Sequence, residues 1–195
     1  MLSSLRPDLR VANIADIAVA DLRERGFGAL LLDLDNTLLP WKNSDVPESS
    51  KQWVENAKQL GMKLCIVSNT HYPKRLNRIA EELGIGSVAR ALKPRARGFR
   101  KAARMTGCEL ASSVVVGDQL FTDILGGNLA GAYTILVNPM HPREFVGTKI
   151  SRGLEWIVFR LLGEPVRHGD RTLRGTVAPQ GTKSDSIKSQ EEDTK

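Results

Sequence analysis

Cysteine is scarce in this chain of 195 residues: Cys65 and Cys108 are the only two. Two thiols can build neither a disulfide framework nor a zinc set, so a reducing, cytoplasmic setting is expected. Aromatics make up only 5% of the chain. Long apolar runs are also missing, and none approaches the ~20 residues that a spanning helix requires. Asp8, Asp16 and Asp21 interrupt any apolar core of a secretory leader, so none is expected. What remains is an ordinary apolar fraction of 41% and a charged fraction of 26%. Those proportions suit one compact soluble domain with a single core.

Acid is lacking in one place in particular. Arg90, Lys93, Arg95, Arg97, Arg100, Lys101 and Arg104 follow one another with no Asp or Glu among them. The net charge is +6. Residues 164–195 are charge-balanced, so the excess lies in residues 1–163. Such a patch concentrates anionic ligands, although a solvated helix face has the same composition. Phe99 alone could stack a base there, so nucleic acid is not expected as a partner.

Short apolar runs at 29–34, 63–67, 87–91, 113–116 and 134–137 are bounded by Gly, Pro, Asn or Asp, as buried parallel strands are. Helical spacing fills 47–60, 73–83, 96–105 and 119–130, with Gly61, Gly84, Gly107 and Gly131 at their ends. The alternation predicts an α/β fold: a doubly wound, mostly parallel five-stranded sheet with ligands at the carboxyl ends of its strands. Further helices are expected at 12–25 and 149–162. The polar segment 164–195 cannot bury enough apolar surface to order itself and is expected to be a disordered tail outside the 1–163 domain.

Four pieces of chemistry fall at predicted strand ends. Asp33-Leu34-Asp35-Asn36-Thr37 can turn two carboxylates into one cleft, though Asp and Asn also make ordinary turns and caps. Ser68 and Asn69 offer hydrogen-bond donors to a phosphate oxygen, or simply form a turn. Lys93 can neutralise a phosphoryl group or stay solvated. Asp118 and Asp123, in GDQLFTD at 117–123, add hard oxygen ligands for Mg²⁺, or cap a helix. Each is weak alone. Together, in one order at four strand tips, they mark a phosphate site.

With all four motifs present, the sequence resembles the haloacid dehalogenase (HAD) superfamily. Within it, DLDNTLLPW at 33–41, IVSN at 66–69, GDQLFTD at 117–123 with GGN at 126–128, and Gly147-Thr148-Lys149 followed by Arg152 and Glu155 are similar to the YqeG-like branch of subfamily IIIA. The likeness covers about residues 5–160, and Thr70 departs from the branch's usual Asn. The resemblance implies a HAD-like Rossmannoid fold and a Mg²⁺-dependent phosphatase. Asp33 is then the nucleophile and Asp35 the general acid and base. Ser68, Asn69 and Lys93 bind the phosphoryl group, and Asp33, Asp35 (through its main-chain carbonyl), Asp118 and Asp123 hold the metal. Residues 38–62 and 69–92 leave no room for a cap domain, so an open, capless cleft is expected.

The same branch is similar to the mitochondrial phosphatidylglycerophosphatase. The phosphorylated substrate implied is an anionic phospholipid head group, met by peripheral contact at the inner face of the membrane. The basic stretch would favour such contact, and Trp156, Phe159, Lys149, Arg152 and Arg160 could anchor the helix at 149–162. That helix could equally cover the sheet. The alternatives are a phosphatase for a phosphoprotein, nucleic-acid end or soluble metabolite, and a phosphate-binding module without turnover.

Overall fold

The computed structural model describes residues 2–41 and 43–140. The helix expected at 149–162, the GTK motif with Arg152 and Glu155, and the polar tail at 164–195 lie outside the described residues. Within them, six strands form one sheet: β1 (Leu9–Val11), β2 (Ala29–Leu32), β3 (Lys63–Val67), β4 (Gly86–Val88), β5 (Ser113–Gly117) and β6 (Tyr133–Val137). Their order across the sheet is β1-β6-β5-β2-β3-β4, and every neighbouring pair is parallel. The sheet therefore has one strand more than the five expected from sequence. The addition is β1, three residues long, whose Leu9 and Val11 pair with Ile135 and Val137. The Asp8 carboxylate secures that edge by accepting from the Thr134 amide at 2.8 Å and from its hydroxyl at 3.1 Å.

Alternate residues of the central strands feed opposite faces. Leu30 and Leu32, with Ile66, Val114 and Val116, pack against α1 (Val19–Glu24), α2 (Glu48–Gln59) and α3 (Pro73–Leu83). Leu31, Cys65, Val67 and Val115 pack against α4 (Ala96–Thr106) through Phe99 and Ala102. A further cluster gathers Leu5, Leu120, Ile124 and Leu136 beside α5 (Leu125–Ala130). All four residues of β2 are fully buried, as a strand covered on both faces must be.

Two expected helices are interrupted. In the region 12–25, Asn13 and Asp16 bond to each other and close a single 3₁₀ turn at Ile14–Asp16, after which Ile17 is extended and α1 starts at Val19. In the region 119–130, Leu120–Ile124 forms a wide π turn before α5 begins. The segments after β2 and β3 carry α2, and α3 with β4, and no further domain among the described residues. Neither expected insertion point therefore carries a cap among the described residues.

Strand order decides where ligands meet this sheet. From β2 the chain winds outward through β3 to β4, then crosses back to β5 on the other side of β2. Loops leaving β2 and β5 thus diverge to opposite faces and open a crevice at the carboxyl ends. Asp33 follows β2 and Asp118 follows β5. The two acids flank the topological switch point.

Candidate active site

The first wall of the crevice is the turn after β2. The Asp33 amide still donates to the Val116 carbonyl at 2.8 Å, so the ladder runs on to the base of the site. Leu34 is fully buried, and its carbonyl accepts from the amides of Leu38 and Leu39. Asn36 makes the reversal at φ 64, the left-handed conformation that Asn tolerates better than most side chains. Asp33 and Asp35 leave this turn by different routes. The Asp33 carboxylate points into the crevice and is buried, whereas Asp35 meets the Arg75 guanidinium near the rim.

Lys93, after β4, reaches the floor of the crevice. Its ammonium donates to Asp33 Oδ1 at 2.5 Å and to Asp123 Oδ1 at 2.6 Å, and all three side chains are at least nine-tenths buried. Asn69 explains how a lysine can be held so firmly. Its amide brackets the Lys93 backbone, with Nδ2 donating to the Lys93 carbonyl at 3.1 Å and Oδ1 accepting from the Lys93 amide at 2.8 Å. The resemblance assigns Asn69 to the phosphoryl group. The structure places its side chain on the segment that carries the lysine. Ser68 is buried, and its Oγ accepts from the Thr70 amide at 3.1 Å, which leaves its O–H to donate.

The last wall is the π turn after β5. Asp123 Oδ2 accepts from the Gln119 amide at 3.2 Å, while the Asp123 and Ile124 amides both donate back to the Gln119 carbonyl. Gly117 is needed for this approach. A Cβ at position 117 would lie 2.3 Å from the Asp123 carboxylate, far inside van der Waals contact. Asp118 stands beside it, and its buried Oδ1 accepts no hydrogen bond among the described residues.

Oxygen atoms of Asp33, Asp118 and Asp123 all lie within 4.8 Å of one another. Burial raises the Asp33 carboxyl to about 7, with Lys93 opposing the rise and Asp123 adding to it. Burial also raises Asp118 to about 9, reinforced by the charges of Asp33 and Asp123. Burial pulls the Lys93 ammonium down, but Asp123 and Asp33 outweigh it and hold the amine protonated. One ammonium therefore sits among three carboxyl groups, and the buried Asp118 Oδ1 lacks a donor among the described residues. An oxygen-only donor set with surplus negative charge fits a hard divalent cation such as Mg²⁺. Asp35 adds no carboxylate to this group among the described residues. Its side chain pairs with Arg75, a residue that the sequence alone does not single out.

The comparisons with known proteins agree with this geometry. A sequence profile of haloacid dehalogenase-like hydrolases matches residues 18–131. The chain is 38% identical over 149 residues to the probable phosphatase YqeG of Bacillus subtilis, covering 76% of this chain and 86% of that protein. It is 26% identical over 177 residues to phosphatidylglycerophosphate phosphatase 1 (chloroplastic/mitochondrial) of Arabidopsis thaliana. That match covers 86% of this chain and about half, 51%, of the plant protein. Among solved structures, an uncharacterized protein from Listeria monocytogenes serotype 4b superposes with a TM-score of 0.50 at 19% identity. The superposition covers 69% of this chain and 99% of that one.

Proposed function

The chain belongs to the haloacid dehalogenase-like hydrolase family and is a phosphatase, and from that premise we propose that it hydrolyses phosphomonoesters through an aspartyl-phosphate on Asp33. The observation that carries the reading is the Asp33–Lys93–Asp123 arrangement at the switch point, with Asp118 beside it. An Asp33 oxygen attacks phosphorus in line with the leaving oxygen, and the ester O–P bond breaks as the new one forms. Asp35 delivers a proton to the departing alkoxide. It then takes a proton from the water that cleaves the acyl-phosphate, which regenerates Asp33 and releases inorganic phosphate. Lys93 and the Ser68 hydroxyl receive the phosphoryl oxygens, and Asn69 keeps the lysine in place. Asp33, Asp118, Asp123 and the Asp35 main-chain carbonyl would hold Mg²⁺. When bound, the ion offsets the repulsion between carboxylate and phosphate dianion.

The substrate we propose is a phosphomonoester on an anionic phospholipid head group, met from the cytoplasmic side by peripheral contact. The 26% identical plant relative bears the name of such a phosphatase. The rim of the cleft has the matching chemistry. Tyr72 is 73% exposed on the loop after β3, and Leu92 is 53% exposed on the loop after β4. Arg90, Arg95 and Arg97 are exposed within five residues of Leu92, and Arg100, Lys101 and Arg104 are exposed further along α4, which leads away from it. Apolar tips among basic side chains suit an anionic bilayer, to which each basic group near the surface adds about 1 kcal/mol. No helix among the described residues is long and apolar enough to cross a membrane.

The test is phosphate release from phosphatidylglycerophosphate in mixed anionic vesicles, with Mg²⁺ or with chelator, for the wild type and Asp33→Asn. Turnover lost in both the mutant and the chelator supports the proposal. Turnover of soluble monoesters alone, unchanged by vesicles, moves the substrate to a phosphoprotein, nucleic-acid end or metabolite.

A further inference from the structure

Arg75 lies in the first turn of α3, on the loop-proximal end of the helix that follows Ser68 and Asn69. Its guanidinium meets Asp35 fork to fork: Nη2 donates to Oδ1 at 2.8 Å and Nη1 to Oδ2 at 3.2 Å. The same guanidinium is itself anchored, with Nε donating to the Asn43 carbonyl at 2.9 Å and Nη2 touching that oxygen too. One turn further on, Arg78 donates to the Ser44 carbonyl at 3.1 Å. The helix after the second strand tip thus grips the loop that leaves the first.

An ion pair with side chains 18% and 24% exposed would ordinarily matter little, because solvent screens it. Geometry sets this one apart. A single planar fork on both carboxylate oxygens fixes the rotation of the carboxyl group as well as its distance. The third bond, to a backbone carbonyl, stops the fork from swivelling with its partner. The carboxylate held this way stands two residues from Asp33, on a turn whose reversal rests on Asn36.

We propose that Arg75 is a positioning residue that orients the Asp35 carboxyl, and so sets how well this site expels poor leaving groups. The inference rests on the reading above, in which Asp35 protonates the leaving oxygen. Oδ1 keeps the shorter bond to Nη2, and Oδ2 gives up its longer bond to Nη1 as it takes up from solvent the proton that it then passes to the leaving oxygen. An alkoxide cannot depart without that proton. A nitrophenolate, whose charge spreads over its ring, departs without it. Removing the fork must therefore slow the two leaving groups unequally, and a merely structural role for Arg75 would slow them alike.

The experiment uses the full chain with Mg²⁺ and measures single-turnover release of the leaving group from glycerol 3-phosphate and from p-nitrophenyl phosphate. In Arg75→Gln, alkyl release is expected to fall about 10²-fold, the lower range for general acid catalysis, with nitrophenolate release changed less than about threefold. Arg75→Lys, which keeps the charge and one bond, is expected to recover part of the alkyl rate. Arg78→Gln loosens the same loop and leaves the fork intact, so its alkyl-to-aryl ratio should match the wild type. An equal fall on both substrates in Arg75→Gln, or a changed ratio in Arg78→Gln, overturns the proposal. A wild type that turns over neither monoester is given phosphatidylglycerophosphate in vesicles as the alkyl substrate, and silence there too overturns instead the reading on which it rests.

Discussion

Replacing Lys93 with methionine keeps most of the volume of the side chain and removes the ammonium held 2.5 Å from Asp33 and 2.6 Å from Asp123. In the metal-free wild type near pH 7.5, Asp118, raised to about 9, mostly keeps its proton, while Asp33, raised to about 7, has mostly lost its own. Without Lys93, a further carboxyl must be neutralised, and protonation is the least costly way. The ordinary value for that carboxyl is 3.8. Holding the proton at pH 7.5 then costs at most about 5 kcal/mol, at about 1.36 kcal/mol per pH unit. At pH 5.5 the same cost is about 2 kcal/mol. The upper figure agrees with the ~3–5 kcal/mol seen when one partner of a buried pair is deleted. The sign follows from proton counts. The folded variant near pH 7.5 binds one more proton than the folded wild type, in addition to the one on Asp118, and the unfolded chain above about pH 4 binds neither, so the deficit grows as pH rises. Urea unfolding in chelator, followed by fluorescence of buried Trp53, reads the deficit at both pH values. A deficit under about 1 kcal/mol at pH 7.5, or one that does not shrink on acidification, would refute the reasoning.

Two further outcomes follow from the same cluster. Gly117→Ala puts a methyl group 2.3 Å from the Asp123 carboxylate and must displace it. We expect a loss of about 1–3 kcal/mol in stability from this overpacking, together with Mg²⁺ affinity at least tenfold weaker by calorimetry, and an unchanged affinity would contradict the role given to Asp123. In the wild type, cation binding must expel the protons that burial and mutual repulsion keep on Asp118 and partly on Asp33. Affinity should therefore rise about tenfold per pH unit for each proton released between pH 6 and 8. Titrations in buffers of different ionisation enthalpy count those protons, and a count of zero would show that the site is ionised before the metal arrives.

Much of the site could be read from sequence because each piece is local. A buried apolar run that ends in Asp, Ser-Asn, Lys or Gly-Asp reports both its strand and its own place at the strand's tip, and an open parallel sheet brings such tips together. The six-stranded count could not be read in this way. Leu9–Val11 is too short to show a period, and it becomes a strand only through Asp8 and Thr134, 126 positions apart. The helix expected at 119–130 failed for a functional reason. Asp123 accepts from the Gln119 amide and so widens the first turn, which periodicity does not register. Arg75 escaped for a related cause. Its partners Asp35 and Asn43 lie 40 and 32 residues away, and an arginine in the first turn of a surface helix resembles any solvated arginine. The bonds of Asn69 to the Lys93 backbone are equally illegible in sequence, since a spacing motif marks where an amide sits but leaves open what it holds.

The measurement closest to the centre of this account is the covalent state of Asp33. Enzyme with Mg²⁺ is quenched in acid during turnover of a labelled monoester; one portion is counted before and after hydroxylamine, and another is reduced with borohydride, which converts an aspartyl-phosphate to homoserine and so marks its position for mass spectrometry. The account predicts a hydroxylamine-labile phosphoryl label on Asp33 in the wild type and none in Asp33→Asn. Turnover that proceeds with position 33 unlabelled, or that survives in Asp33→Asn, would contradict it.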